Sequence, residues 1–521
     1  MTIFNQQSRT ANMVRIAIVA EICTIANLIF GFVYRSIFLS VLSTQYLGIN
    51  GLFVQILQVL SLADLGIAGA ITFRFYKPIK ENNIEQVGRL MNFFKFVYRI
   101  ICTVILGVGI ALLPFIQLLI KDTSEIPKDI SLHFIYILFL LQSASSYMFA
   151  YKQTLLTVDQ RQYAVSLFQM ISTFARHCVQ TIFLLTTHNY TMTLVSSIAL
   201  QILSNFLMSI YVTRRYASVF EVKSKLSQEE KKEILRDTRA CMVHKIGGIV
   251  LNSTDNLIVS KFVGIISVGL YSNYALIINN LTTLATQILS NTTASLGNMC
   301  TSLNSKERYV VYKNLIFVNL WVTSTLTICL YTLISPFIVI WVGQDMLLSR
   351  ITVICLGLKF YMTLTRQVNM AYITASGLFV KDIYRPFIEA SINLIVSIYY
   401  VNKLGIAGVF LGTIISALCT VIWREPYLIF KHNLKVKPYR YIFMQISFLA
   451  ATVFMCLIAE HYLTSYITGF VSWGISAVLI LIVTELFLIL CFGSTQEFQY
   501  LKELALKAVK KMVDKLERNK V

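Results

Sequence analysis

Between residues 14 and 492 the chain is a succession of apolar runs, each about 20 residues or longer and so able, as a helix, to span about 30 Å of hydrocarbon. That recurrence leaves few folds open. Inside a bilayer every backbone N–H and C=O must find its partner within the spanning element, so a chain of such runs crosses as helices. Composition agrees: 521 residues are 56% hydrophobic and 13% charged, with a mean hydropathy of +0.68, whereas soluble domains carry about 25% charged residues. The class is an all-α polytopic membrane protein. The opening segment MTIFNQQSRTANMVR is polar and reads as a cytoplasmic N-terminus, not a cleaved leader.

Hydropathy and helix-breaking residues predict about fourteen transmembrane helices, at 14–43, 48–75, 93–120, 131–151, 162–187, 190–213, 241–262, 267–297, 311–342, 351–377, 383–402, 406–430, 441–462 and 468–492. The spans 162–187 and 267–297 are unusually polar, and the first, second and ninth are long enough to tilt or kink. With the N-terminus inside, 36 Lys and Arg fall on inner segments and five on outer ones, the other four lying within spans. Such asymmetry follows the positive-inside rule and places both termini in the cytoplasm. The net charge of +20 is thereby explained without nucleic acid.

Five regions follow. Residues 1–213 form an N-terminal lobe of six spans and 241–431 a C-terminal lobe of six. Between them 214–240 is a basic cytoplasmic linker, in which Ser227 and Glu230 have capping-box spacing. Residues 432–493 hold two additional spans. The tail, 494–521, is amphipathic, with Leu501, Leu504, Ala505, Ala508, Met512 and Leu516 on one face and lysines opposite, as for a helix resting on anionic inner-leaflet lipids. Two hairpin motifs, LGINGLF (47–53) joining spans 1 and 2 and LGIAGVF (404–410) joining spans 11 and 12, support two related halves, since both fall on the outer side.

Several function classes lack their residues. There is no GxxxxGK[ST] phosphate loop, no HExxH and no GxSxG, and the ten cysteines stand singly, as packing residues and not as metal ligands or disulfides. No catalytic or metal-binding set emerges.

What does emerge is charge at membrane depth. Lys359, Arg366 and Arg176 lie near the centres of their spans and Arg35 in the outer half of span 1. A cation at the bilayer centre costs about 2.5–3.5 kcal/mol on insertion scales, so such residues face a bundle interior or a hydrated cavity. Salt bridges to Asp64 or Asp255 account for some of them, yet four cations against these two deep acids leave positive charge over, which suits a phosphate. Asn273, Asn280, Gln287, Asn291 and Asn298 recur at seven, seven, four and seven residues along span 8, one amide-lined face compatible with sugar hydroxyls or with interhelical hydrogen bonds. His177 reads as a packing residue, Glu389 as a partner of Arg385 one turn away, and Glu485 as a link between helices. The sum is a binding path for a diphosphate head group bearing sugars.

The stretch SRTANMVRIAIVAEICTIANLIFGFVYRSIFLSVLSTQYLGINGLFVQILQVLSLADLGIAGAITFRFYKPI resembles the start of bacterial polysaccharide-biosynthesis flippases of the multidrug/oligosaccharidyl-lipid/polysaccharide exporter superfamily. STDNLIVSKFVGIISVGLYSNYALIIN and RPFIEASINLIVSIYYVNKLGIAGVFLGTIISALCTVIWREPY are similar to the same family's spans 7–8 and 11–12, so the resemblance covers about residues 8–430. It implies two pseudo-symmetric six-helix lobes around a central cavity that opens alternately to either side. It also implies movement of undecaprenyl-diphosphate-linked oligosaccharide across the bacterial cytoplasmic membrane, for O-antigen, capsule or exopolysaccharide assembly, beside polymerase and chain-length partners. Arg35, Asp255 and Arg366 fall at family-like positions, and Asp64 at an ADLGI site where relatives commonly carry glutamate. The superfamily implies Na⁺ or H⁺ as the coupling ion, for which Asp64 and Asp255 are the candidates; no other cofactor is implied. Two alternatives stand beside this reading. An outer-face polymerase or ligase needs a larger outer loop than the roughly ten residues around 121–130, and a cation-coupled drug exporter needs acids where this chain has cations.

Overall fold

In a computed structural model the described residues are 9–61, 67–234, 254–290, 304–376, 378–463 and 467–503, and among them there is no strand. Eight helices in this set are long and apolar enough to cross a membrane. The chain divides into two compact units, Met1–Ser272 with Val401–Val409, and Asn273–Tyr400 with Phe410–Val521.

In the first unit the helices are α1 (Arg9–Val41), α2 (Thr44–Leu60), α3 (Ile67–Lys80), α4 (Ile84–Leu112), α5 (Leu132–Val158), α6 (Gln162–Thr187) and α7 (Tyr190–Arg215), followed by the first turns of α8 (Ile265–Ser290). Of the expected span 48–75, α2 covers the residues up to Leu60 and α3 those from Ile67, while 62–66 lie outside the described residues. The expected span 93–120 ends as a 3₁₀ turn, Leu113–Leu119, where Pro114 cannot continue α-helical hydrogen bonding. α1 packs along α6, α6 along α7, and α5 along both α4 and α7. On α1 the residues Ile22, Ile25, Ile29 and Val33 share one exposed apolar face, whereas Thr24, Asn27, Gly31 and Arg35 share the other side of the helix.

The expected hairpin LGINGLF is displaced from its turn. The chain turns at Ser43, one helical turn earlier, and the motif lies inside α2. Its glycine makes a close crossing instead: a Cβ on Gly48 would run into the Ile265 carbonyl of α8, and one on Gly269 into the Thr44 carbonyl. Gly48→Leu is accordingly expected to lower the unfolding midpoint in detergent sharply. Overpacking usually costs about 1–3 kcal/mol, and a backbone carbonyl cannot rotate aside. Gly31→Leu, where a Cβ meets nothing within 4 Å, is the control and should leave the midpoint unchanged. The second motif, LGIAGVF, does mark a turn, with Gly405 at φ +58 between two helices.

The second unit continues from Asn273 of α8 through α9 (Ser305–Val342), α10 (Arg350–Thr365), α11 (Gln367–Ala375), α12 (Arg385–Leu404) as far as Tyr400, α13 (Ile406–Cys419) from Phe410, α14 (Val421–Ile429), α15 (Tyr439–Leu463) and α16 (Phe470–Phe492). α9 opens on a capping box in which Asn304 accepts from the Glu307 N–H at 3.0 Å and Glu307 accepts from the Asn304 N–H at 3.1 Å. It then runs for 38 residues as the backbone of this unit, with α10, α15 and α16 packed on it. The expected span 351–377 is broken at Arg366. The Leu364 and Thr365 carbonyls at that break both accept from the Asn319 amide of α9, at 3.1 and 3.0 Å, so the interruption does not leave these two acceptors orphaned. A second break, at Thr420, is served by the Trp423 indole N–H, which donates to the Cys419 carbonyl at 2.8 Å.

Smaller expectations are met. Ser227 and Glu230 bond each other's backbone N–H reciprocally, and Arg385 pairs with Glu389 at 2.5 Å. Glu485 of α16 accepts from Trp321 and Thr325 of α9, both at 2.8 Å, a link between helices as its position predicts. The amphipathic tail is described only to residue 503, helical from 496, and the rest of 494–521 lies outside the described residues.

Candidate functional site

The deep cations fall in both units, Arg35 and Arg176 in the first and Lys359 and Arg366 in the second. In the first unit Tyr34 of α1, the chain neighbour of Arg35, packs on His177 of α6, the chain neighbour of Arg176. The Tyr34 and His177 rings stack with centroids 4.7 Å apart, and one turn away Phe30 and Phe174 pack at 4.8 Å. Arg35 donates from Nη1 to the Ser272 hydroxyl at 2.9 Å. Arg176 donates from Nη1 to the Gln201 amide oxygen of α7, and Gln201 in turn donates to Asn205 at 3.4 Å. Among the described residues Arg176 makes no ion pair; an amide, not a carboxylate, holds it. A guanidinium dissolved in neutral dipoles keeps its full charge available to an incoming anion. His177 bonds Gln180 at 3.2 Å and stacks on Tyr34, the packing role read from its position.

The second unit treats Arg366 differently. Its Nη2 lies 2.7 Å from Glu425 Oε1, its Nε 3.4 Å from Glu425 Oε2 and its Nη1 3.8 Å from Glu389 Oε1. Glu389 also pairs with Arg385, which reaches Asp382 at 2.5 Å, and Asp382 meets Arg424 at 3.4 Å. Three guanidiniums and three carboxylates thus form one network on α12, α14, the break before α11 and the turn preceding α12. The Glu425 and Asp382 side chains are only 2% and 3% exposed. The surplus of positive charge argued from Asp64 and Asp255 alone does not extend to Arg366, because it left out Glu425 and Asp382. Both fall where the sequence reading drew an inner boundary. Lys359, two turns before Arg366, has its ammonium 5.0 Å from the Phe410 ring centroid, a cation–π contact.

The remaining candidates disperse. Asp255 is buried in the helical segment 254–262, while Asp64 lies outside the described residues. Asn273 is fully buried. Asn280 is half-buried and donates to its own helix at the Leu276 carbonyl, 2.7 Å away. Gln287 continues α8, but only its backbone is described, and Asn291 and Asn298 lie outside the described residues. Sequence reasoning passed over Gln201, Ser272 and Tyr34, which set the surroundings of the two first-unit arginines; the signal was available in Gln201 and Asn205, two amides one turn apart on α7.

Eight helices long and apolar enough to cross a membrane, in two helical units, define the class as a multi-pass membrane protein. No protein-family model matches the sequence, and no curated protein does. Among solved structures the chain is similar to the lipid II flippase MurJ in an inward closed conformation, with a TM-score of 0.66 and 16% identity over 91% of this chain and 99% of that one. It is also similar to an inward-facing multidrug resistance MATE family transporter of the MOP superfamily, at 0.56 and 15% over 79% and 98%. A third is a MOP superfamily transporter from Pyrococcus furiosus described by the reverse polarity of its binding pocket, at 0.50 and 13% over 80% and 96%. At such identities what is shared is the fold.

Proposed function

We propose that this chain is a flippase that carries an undecaprenyl-diphosphate-linked oligosaccharide from the inner to the outer leaflet of a bacterial cytoplasmic membrane by alternating access. No covalent step is involved. The observation that carries the reading is Arg176, a cation midway along α6 whose partner among the described residues is an amide, next to the stacked Tyr34 and His177. An unneutralised guanidinium is costly in that setting and suits a ligand bringing its own negative charge. Similarity to MurJ, itself a lipid II flippase, supports a lipid-linked substrate.

In this reading Arg35, Arg176 and Lys359 receive the diphosphate, and Arg366 joins them by exchanging its carboxylate partners for phosphate oxygens. Asn273, Asn280, Gln287 and Asn291 contact sugar, Asp64 and Asp255 serve coupling by Na⁺ or H⁺, and both termini face the cytoplasm. A drug exporter of cations is disfavoured by the same arginines. The test is depletion of the protein, followed by analysis of the lipid-linked intermediates that accumulate. A diphosphate-linked oligosaccharide on the inner leaflet is expected; normal surface polysaccharide with no accumulated intermediate would overturn the reading.

A further inference from the structure

Two adjoining cavities open at one end of the second unit, where α9 and α15 finish and α10 begins. The first, of 140 Å³, is almost wholly apolar and is walled by Ile354, Leu358, Leu449, Val453 and Leu457. Gly357 and Tyr331 also line it, and a Cβ at 357 would come to 3.6 Å from the Tyr331 ring. The second, of 380 Å³, is mixed, with Thr332, Ser335 and Glu460 in its wall beside Val339 and Leu347. Tyr331 and Arg350 line both.

At their junction sits an ion pair. Arg350 Nε lies 2.9 Å from Glu460 Oε1, its Nη2 lies 3.1 Å from Oε2, and the Tyr331 hydroxyl donates to Oε2 at 2.7 Å. The Arg350 side chain is nevertheless 70% exposed and that of Glu460 28%. An exposed pair of this kind contributes little to holding helices together. Ile354 and Gly357 lie four and seven residues beyond Arg350, about 6 and 10 Å along the helix axis, so the charged pair sits at one level and the apolar slot begins just below it. That is the layout of a phospholipid, with head group above acyl chain. The charges select among head groups. Arg350 offers donors to a phosphate and Glu460 offers acceptors to a primary ammonium, whereas an anionic head meets repulsion from Glu460 and a quaternary ammonium has no N–H to donate.

We infer that this groove is a binding site for phosphatidylethanolamine, with the phosphate on Arg350, the ammonium on Glu460 and one acyl chain in the apolar slot that Gly357 and Ile354 line. The test uses the full chain purified in detergent and native mass spectrometry with dioleoyl phosphatidylethanolamine, phosphatidylglycerol and phosphatidylcholine, one at a time. Phosphatidylethanolamine is expected to be retained at least fivefold better than the other two. Glu460→Gln should bring it down to the phosphatidylcholine level, and Gly357→Leu should reduce retention of all three. If Gly357→Leu does not fold, Ile354→Trp fills the same slot from its edge and should have the same effect. Equal retention of the three lipids, a preference for phosphatidylglycerol, or an ethanolamine preference that survives Glu460→Gln would each overturn the inference. The transport reading is tested by other residues: an Arg176→Ala protein should keep the lipid preference in full.

Discussion

Replacing Arg176 by alanine is expected to stop translocation of the lipid-linked oligosaccharide while the protein accumulates in the membrane at its normal level. Arg176 lies on α6 with only the Gln201 amide as its hydrogen-bond partner among the described residues. In the empty protein that arrangement is unfavourable, because a desolvated cation with no counter-charge keeps most of its desolvation cost. Removing the guanidinium should therefore leave the detergent unfolding midpoint unchanged or slightly raised, the opposite of what loss of a structural ion pair produces. Head-group binding should suffer instead. Truncating one side of a hydrogen-bonded charge pair costs about 2–5 kcal/mol, a loss in affinity of roughly 30-fold or more. Arg176→Lys should recover part of the rate, since it restores the charge but not the two-pronged donor geometry. The measurement is protection of labelled lipid-linked oligosaccharide in proteoliposomes, alongside the unfolding midpoint. Wild-type translocation by Arg176→Ala would remove the observation on which the flippase reading rests.

How far the sequence foretold this structure depends on whether a feature is local. α6 was expected at 162–187 and is found at Gln162–Thr187, because its end is written in the residues that follow: His188 adopts φ 52, and Asn189 caps the next helix by accepting from the Met192 N–H. The breaks at Arg366 and Thr420 were not legible. Hydropathy runs unbroken through both, and the first is stabilised by Asn319, on a different helix. Gly48 misled for the same reason. A glycine in LGINGLF has the composition of a turn, and only the approach of Ile265 shows that it serves a helix crossing. The Arg366 network combines both difficulties. Arg366 stood out as a deep cation, but Glu425 was counted with the inner boundary, and a shift of boundary by a few residues converts a solvated carboxylate into a buried counter-ion.

That network yields the second large effect. Glu425→Gln should destabilise the protein by about 3–5 kcal/mol, the usual result of removing one partner from a buried ion pair, because Arg366 would keep only Glu389, at 3.8 Å. The double substitution Arg366→Met with Glu425→Leu should return most of that loss, since a buried pair can generally be replaced by apolar residues of similar size at little cost. Glu389 remains satisfied throughout by Arg385 at 2.5 Å. Comparing stability with transport in the double variant then separates two roles for Arg366. If its guanidinium only fastens α14 to the break between α10 and α11, translocation returns together with the unfolding midpoint. If it leaves Glu425 to take a phosphate oxygen during the cycle, stability returns and translocation does not. The substrate role predicts the second outcome, for a physical reason: a carboxylate and a phosphate compete for the same two-pronged donor, and an ion pair that opens during the cycle gives the phosphate its place. Full translocation by the stable double variant would assign Arg366 to the scaffold and leave Arg35, Arg176 and Lys359 as the groups that meet the head group.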